Sequence, residues 1–518
     1  MLKARLPARL TPLAASFGLR PFYGDIHNHC GLSYGHGSLE DALARARQQL
    51  DFVSVTGHAH WPDMPVDQPE VAHIVAFHVE GFARLARLWP GHFVTLRRFH
   101  QDGAFTVFPG YEIHSFRHGD YTILYKDLAS REMVLADSPA ELLAGLSARY
   151  PGTAMAFPHH IGYRQSARGV NWASLDPRLS PVVEIISMHG CSETSLTERP
   201  FLHSMGPSDG RSTLRHGLAL GHVFGVIGNT DHHSGHPGSY GHGRTCLYAP
   251  ENTAAALWDS LWSRRTNALT GDCSHLFMAA GDTIQGGILP PGDHELRIEA
   301  VGGSFIDTID LVRSGRLAAR ITPELQPAPI TPSAEGLETI LVLELGWGAR
   351  GKSHRWTGRL ALQGGEILAV EPRLRGVEIV SPLEGEAQAS EPDRIAANRH
   401  TLAFTILARA NPNNMTPAMQ AVALRVRLSD YAAIRAELDG QHLQIDVPRL
   451  QEGALSGNLG GIDSPAFRFH PLPRPHQWQW QGAVPLPGFV TGETVYLRMR
   501  QANGQSSWTS PIFCRTRA

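Results

Sequence analysis

Thiols are few in this sequence and follow no pattern. The five cysteines, Cys30, Cys191, Cys246, Cys273 and Cys514, are odd in number and far apart, and no Cys-x-x-Cys pair occurs. That argues against a disulfide framework and a zinc-ribbon site, and favours a reducing, cytoplasmic setting. Charge is thin as well. Asp, Glu, Lys and Arg make up 18% of the 518 residues, and the formal net charge is −2. No global field recruits nucleic acid or an anionic membrane, and no basic stripe with interleaved aromatics appears. A run of about 18 apolar residues is missing, so no transmembrane helix is expected. Residues 1–20 hold no apolar run of signal-peptide length. Turn formers are plentiful, with 52 Gly and 36 Pro, and histidine is in excess at 28. Twenty-one of those histidines fall within residues 1–242.

The chain is too long for one typical domain. Residues 1–20 read as an irregular arm. Across 21–274, short apolar strands (22–26, 52–56, 105–108, 121–125, 154–157, 182–187, 223–228) alternate with helices (39–50, 70–89, 138–150, 253–264). Such alternation predicts a parallel sheet, and its length suits a β/α barrel. Trp258 and Trp262 on the last helix are expected to face the region that follows. From 275 to 518 the pattern changes to strands separated by turns such as Ser314-Gly315, Gly364-Gly365 and Asn503-Gly504. This predicts an antiparallel, β-sandwich-like region of one or two modules, with residues 384–398 as a surface loop.

Active-site groups of such barrels follow the strands. The first strand leads into Asp25-Ile26-His27-Asn28-His29, with His36 beyond. In extended chain Asp25, His27 and His29 would share a face, Asp25 serving as a ligand or standing behind one. The next strands deliver His58 and His60, then Glu112, then His159 and His160, then His189, and last Asp231, His232 and His233. Imidazole and carboxylate without thiolate suit Zn, Mn or Fe. One Glu and one Asp among many histidines suit a multinuclear site with a bridging carboxylate.

Asp25-x-His27-x-His29, Thr56-Gly57-His58, Pro109-Gly110-Tyr111-Glu112, Pro158-His159 and Thr230-Asp231-His232-His233 resemble the ordered motifs of the PHP (polymerase and histidinol phosphatase) superfamily. The stretches 264–271 and 496–512 resemble an uncharacterised bacterial branch with a β-rich C-terminal region. The resemblance implies a distorted seven-stranded (β/α)7 barrel and two or three divalent ions. Carried over by motif, His27, His29, Glu112 and Asp231 would hold one ion. Glu112 would bridge to a second held by His159 and His189, and His58, His233 and His36 would hold a third. The usual Asp of the second motif is Gly57 here, leaving His60 or Asp63 as substitutes.

Glu112 and Asp231 are also catalytic candidates, with His160 and Arg164 beside them. Arg164 and Arg168 suit an anionic substrate through forked donors, the alternative being solvated loop arginines. Glu184 could orient a ligand from behind. The leading expectation is a metal-dependent hydrolase acting on a small-molecule phosphoester. The rivals are a hydrolase or lyase acting on a carbohydrate or amide bond, and a non-catalytic binding protein. Neither nucleic acid nor membrane is expected as a partner.

Overall fold

The computed structural model describes residues 12–325, 336–377, 392–410 and 419–516. The architecture is mixed α/β and rich in strand. Part of the arm is ordered: Pro12–Ser16 is helical, and Leu13 and Ala14 pack beneath Tyr23 and Phe277.

Local sequence accounts for the helices. Leu39–Gln49 starts at Ser38, whose side chain accepts from the Asp41 amide, and it buries Leu39, Ala42, Leu43 and Ala46. Pro139–Arg149 starts at Ser138 with Pro139 in its first turn. Ala72–Phe99 runs well past the expected end at residue 89, because Pro90 does not stop it. The missing Pro90 N–H costs one helical hydrogen bond. Burial of Leu85, Trp89, Phe93 and Leu96 on one stripe outweighs that loss.

Strand pairing is parallel for only part of the alternating region, and the expected parallel strands 121–125 and 154–157 pair antiparallel. Arg20–Asp25 pairs with Phe52–Val53, which pairs with Thr106–Val107. Thr56–His60 pairs with Gly110–Ile113, and Val182–Ser187 with Gly225–Gly228. The ladder does not run as one continuous ring. Pro109 has no N–H to donate and separates Thr106–Val107 from Gly110–Ile113, so residues 52–60 pair into two different sheets. Antiparallel strands Tyr121–Tyr125 and Ala154–Pro158 extend the second of these. Trp258 packs with Ile26, Phe52, Phe108 and Ile227 in the interior below the site, not against the C-terminal sheets.

The sheet also ignores the expected boundary at residue 274. Thr266–Leu269 pairs with Ser506–Thr509, near the far end of the chain. Glu193 joins the same two regions: its buried carboxylate accepts from Arg215, Tyr496 Oη, Arg498 and Trp508 Nε1 at 2.8–3.0 Å. A separate eight-stranded sheet carries the long strands His354–Arg373 and Gln420–Leu438. The expected loop 384–398 falls partly outside the described residues, and Arg394–Ala397 within it is a strand. No helix among the described residues is long and apolar enough to cross a membrane.

Candidate metal centre

The first strand ends at Asp25, so His27 and His29 lie just beyond it rather than on a strand face. Backbone bonds hold this loop against the last motif. His29 N–H donates to His232 O at 2.8 Å, Asp231 N–H to His27 O at 2.9 Å, and Gly235 N–H to His29 O at 3.0 Å. Asp25 turns away from the histidines and fastens that second loop. It accepts from Thr230 Oγ1 at 2.5 Å, Gly238 N at 2.8 Å and Thr230 N at 3.2 Å. Burial pushes the Asp25 carboxyl up to about 6 against those bonds.

Two carboxylates form the middle of the site. Glu112 lies 3.1 Å from His27 Nε2, 3.2 Å from His29 Nε2, 3.3 Å from His159 Nε2 and 3.7 Å from His58 Nε2. Asp231 lies 3.0 Å from the Nε2 atoms of both His29 and His189. The opposite ring nitrogens are held from outside. His27 Nδ1 faces Glu184 at 2.8 Å, His58 Nδ1 faces Ser33 Oγ at 3.1 Å, and His159 Nδ1 faces Thr122 Oγ1 at 3.0 Å. His189 Nδ1 faces Tyr163 Oη at 2.6 Å, and His233 Nδ1 donates to Asp231 O at 2.9 Å. All of these residues are buried.

Hydrogen bonds do not satisfy every ring nitrogen here. The Nε2 atoms of His27 and His29 face each other at 3.3 Å. His29 Nδ1 and His159 Nε2 are buried without a hydrogen-bond partner. Burial pulls His27 down, but Glu184, Asp231 and Glu112 raise it well above its ordinary value. Burial and neighbouring imidazoles hold His58 and His233 well below theirs. His58 and His233 are therefore held neutral, and each keeps one ring lone pair that a cation could take. That donor set fits divalent cations. Overlapping triads with suitable spacing include His27–His29–Asp231, His27–Glu112–His159 and His29–His58–His233.

The remaining candidates separate. His36 is half-buried, and its amide donates to His233 O at 2.7 Å. His160 is buried beside the cluster, with Nε2 3.3 Å from Asp120 Oδ2 and Nδ1 unpartnered. Arg164 is exposed, and its amide bonds Pro207 O away from the carboxylates. Arg168 faces inward instead, reaching Asp120 at 3.1 Å and His160 Nε2 at 3.3 Å. Asp231, His160 and Arg168 adopt φ of +52°, +30° and +74°. Side chains rarely take such backbone, and it costs about 1–3 kcal/mol each where surrounding structure enforces it.

Sequence reading missed His114 and Asp120. His114 Nδ1 lies 2.9 Å from Asp120 and 3.3 Å from Glu112, and Nε2 lies 2.8 Å from Tyr34 Oη. The spacing Glu112-x-His114 in extended chain was the available signal. At Gly57, a Cβ would come within 2.8 Å of Leu85 Cδ1, so the neighbouring helix fills that place. Neither proposed substitute takes it. His60 pairs with Asp137 at 3.1 Å, and Asp63 is engaged by Trp61, Ser115, Phe116 and Arg117.

No protein-family model matches this sequence, and no curated protein matches it. Among solved structures, it is similar to a two-domain protein from Bacteroides vulgatus described as containing a predicted PHP-like metal-dependent phosphoesterase. That similarity is 14% identity over 60% of this chain and 82% of the other, with a TM-score of 0.32. PsfC from Pseudomonas syringae is 17% identical over 48% of this chain and 90% of its own, with a TM-score of 0.30. Overlaps this loose assign neither fold nor activity, and the site stands on its own geometry.

Proposed function

We propose that this chain is a metal-dependent hydrolase of PHP type. Two or three divalent ions (Zn, Mn or Fe) would be held where Glu112 and Asp231 gather the imidazoles. One observation carries the reading: five histidine Nε2 atoms converge within 3.0–3.7 Å of two buried carboxylates. His27, His29 and Asp231 would form one ligand set, with His189 on the far oxygen of Asp231. His27, Glu112 and His159 would form a second, and His29, His58 and His233 a third. His36 would serve through its backbone. When bound, divalent ions supply Lewis-acid charge and make water acidic enough to attack near neutral pH. Glu184 and Tyr163 keep the lone pairs of His27 and His189 turned inward. His160 packs beside His159 and His189 and meets Arg168 at Asp120, and this pair would receive the charged group of the substrate, in place of Arg164. An Arg guanidinium matches the oxygens of a phosphoester, so a small-molecule phosphoester is the substrate class. The same reading takes the strands around the site as a distorted seven-stranded β/α barrel.

The test is metal analysis together with a substrate screen. Protein loaded with Zn, Mn or Fe should retain at least two ions per chain and hydrolyse phosphoesters. Asp231→Ala should lose both properties, and a metal-replete, fully active variant would overturn the reading. Turnover of glycosides or amides alone would replace the phosphoester with those bonds.

A further inference from the structure

Each ligand candidate around Glu112 and Asp231 except His36 is buried. The half-exposed groups bordering the centre fall into two sets. Arg168, with 21% of its side chain exposed, touches His160. The second set is aromatic. Trp61, His78 and Phe82 lie 5.5, 5.7 and 6.4 Å from the ring of His114, and Tyr34 stacks on His58 at 3.7 Å. Phe116 packs on Trp61 at 5.0 Å, and Phe77 on Tyr34 at 5.1 Å.

This wall is fixed in place. Asp63 accepts from Trp61 Nε1 at 3.1 Å and from the amides of Phe116 and Arg117 at 2.9 and 2.8 Å, tying two loops together. His78 and Phe82 sit on the opening turns of Ala72–Phe99, whose later residues Leu85, Trp89, Phe93 and Leu96 are buried. The opening turns keep their apolar face half-uncovered beside the centre. Trp61 meets Phe116 at 67° and His78 at 63°, and these rings remain half-exposed, so faces and edges are both partly uncovered. Such a surface suits a planar ring, which takes offset-stacked and edge-to-face contacts. Arg168 and the wall meet through Asp120, which lies 3.1 Å from Arg168 and 2.9 Å from His114 Nδ1, while His114 Nε2 reaches Tyr34 Oη at 2.8 Å.

We infer that this wall is the recognition site for the alcohol portion of the substrate, and that this portion carries an aromatic ring. The inference rests on the hydrolase reading for its reaction but not for its binding. In the reaction, water oxygen bonds to phosphorus, the P–O ester bond breaks, and the ring-bearing alcohol leaves with a proton. The wall holds that alcohol while Arg168 holds the charged head.

Benzyl phosphate and ethyl phosphate share the head group and have leaving alcohols of nearly equal acidity, so their KM ratio reports the ring. With metal-loaded full-length protein, KM should be about tenfold lower for benzyl phosphate. Trp61→Ala should bring the ratio towards one, and Trp61→Phe should preserve it. Equal KM values in the parent protein, or an unchanged ratio in a folded Trp61→Ala variant, would overturn the inference. If neither ester is turned over by metal-replete protein, the phosphoesterase reading fails by itself. Calorimetry then decides the ring site: benzylphosphonate binding about tenfold tighter than ethylphosphonate retains it, and equal binding overturns it.

Discussion

Glu184 Oε2 lies 2.8 Å from His27 Nδ1 and accepts a second bond, 2.9 Å, from Asn229 Nδ2. The buried carboxylate thereby fixes the plane of the ring and favours a proton on Nδ1, so that Nε2 would be the atom offered to a metal ion beside Glu112 and Asp231. Groups placed behind a ligand in this way typically change metal affinity by about 10–100-fold. Glu184→Gln keeps the shape but gives up the charge. We expect metal affinity to drop by about that factor, read by competition with a chromophoric chelator. An unchanged dissociation constant would remove Glu184 from the site.

Restoring an acid at position 57 should harm the protein. A Cβ there meets Leu85 Cδ1 at 2.8 Å and Cδ2 at 3.2 Å. Overpacking of this kind costs about 1–3 kcal/mol, and an unpaired carboxylate against leucine adds to it. Gly57→Asp should lower the urea midpoint, and Leu85→Ala in the same chain should recover part of the loss, because the pair is in contact. A Gly57→Asp protein as stable as the parent would contradict this packing.

The histidine excess in the first half and its placement after apolar strands were readable because strands and loops leave local patterns. Which arginine faces inward was not. Arg164 and Arg168 share one loop without periodicity, and only the left-handed turns at Ser166 and Arg168 direct the second inward. The end of the long helix was misread because Pro90 is a strong local signal against continuation. Tertiary burial of Trp89 and Phe93 overrides it. The pairing of Thr266–Leu269 with Ser506–Thr509 has no local signature at all, since the partners are remote in the chain.

Glu193 is the sole carboxylate facing Arg215 NH2 and Arg498 NH1 in the bonds described, and it also receives Tyr496 and Trp508. Removing it takes the carboxylate from Arg215 and the acceptor from the Tyr496 hydroxyl and Trp508 indole, while Arg498 keeps Asp310 at 2.6 Å. Breaking a buried ion pair from one side costs about 3–5 kcal/mol. Glu193→Ala should lower stability by roughly that amount. Near- and far-ultraviolet signals should still fall together, because the hub spans both halves of one sheet. Separate transitions would show that the halves unfold independently.

His92 gives a pH signature away from the site. It is buried against Trp89, neither ring nitrogen has a hydrogen-bond partner, and burial pushes its pKa down to about 3. Unfolded chains protonate histidine near 6.5. Below that pH the unfolded state binds a proton that the folded state refuses. The stability from a neutral His92 is therefore full above pH 6.5 and lost as pH falls towards 3. The largest loss is roughly 5 kcal/mol at 1.36 kcal/mol per unit. His92→Leu should flatten the fall in urea midpoint over that window. A slope equal to the parent's would show that other groups cause it.

The antiparallel partner of Thr266–Leu269 is the segment Ser506–Thr509, far downstream in the chain. A ribosome must therefore translate past residue 509 before that sheet edge is covered. Until then the nascent chain presents bare amides and carbonyls that another strand can capture. Termination between the last histidine of the centre and Ser506 would yield a polypeptide with every ligand and an open, sticky seam.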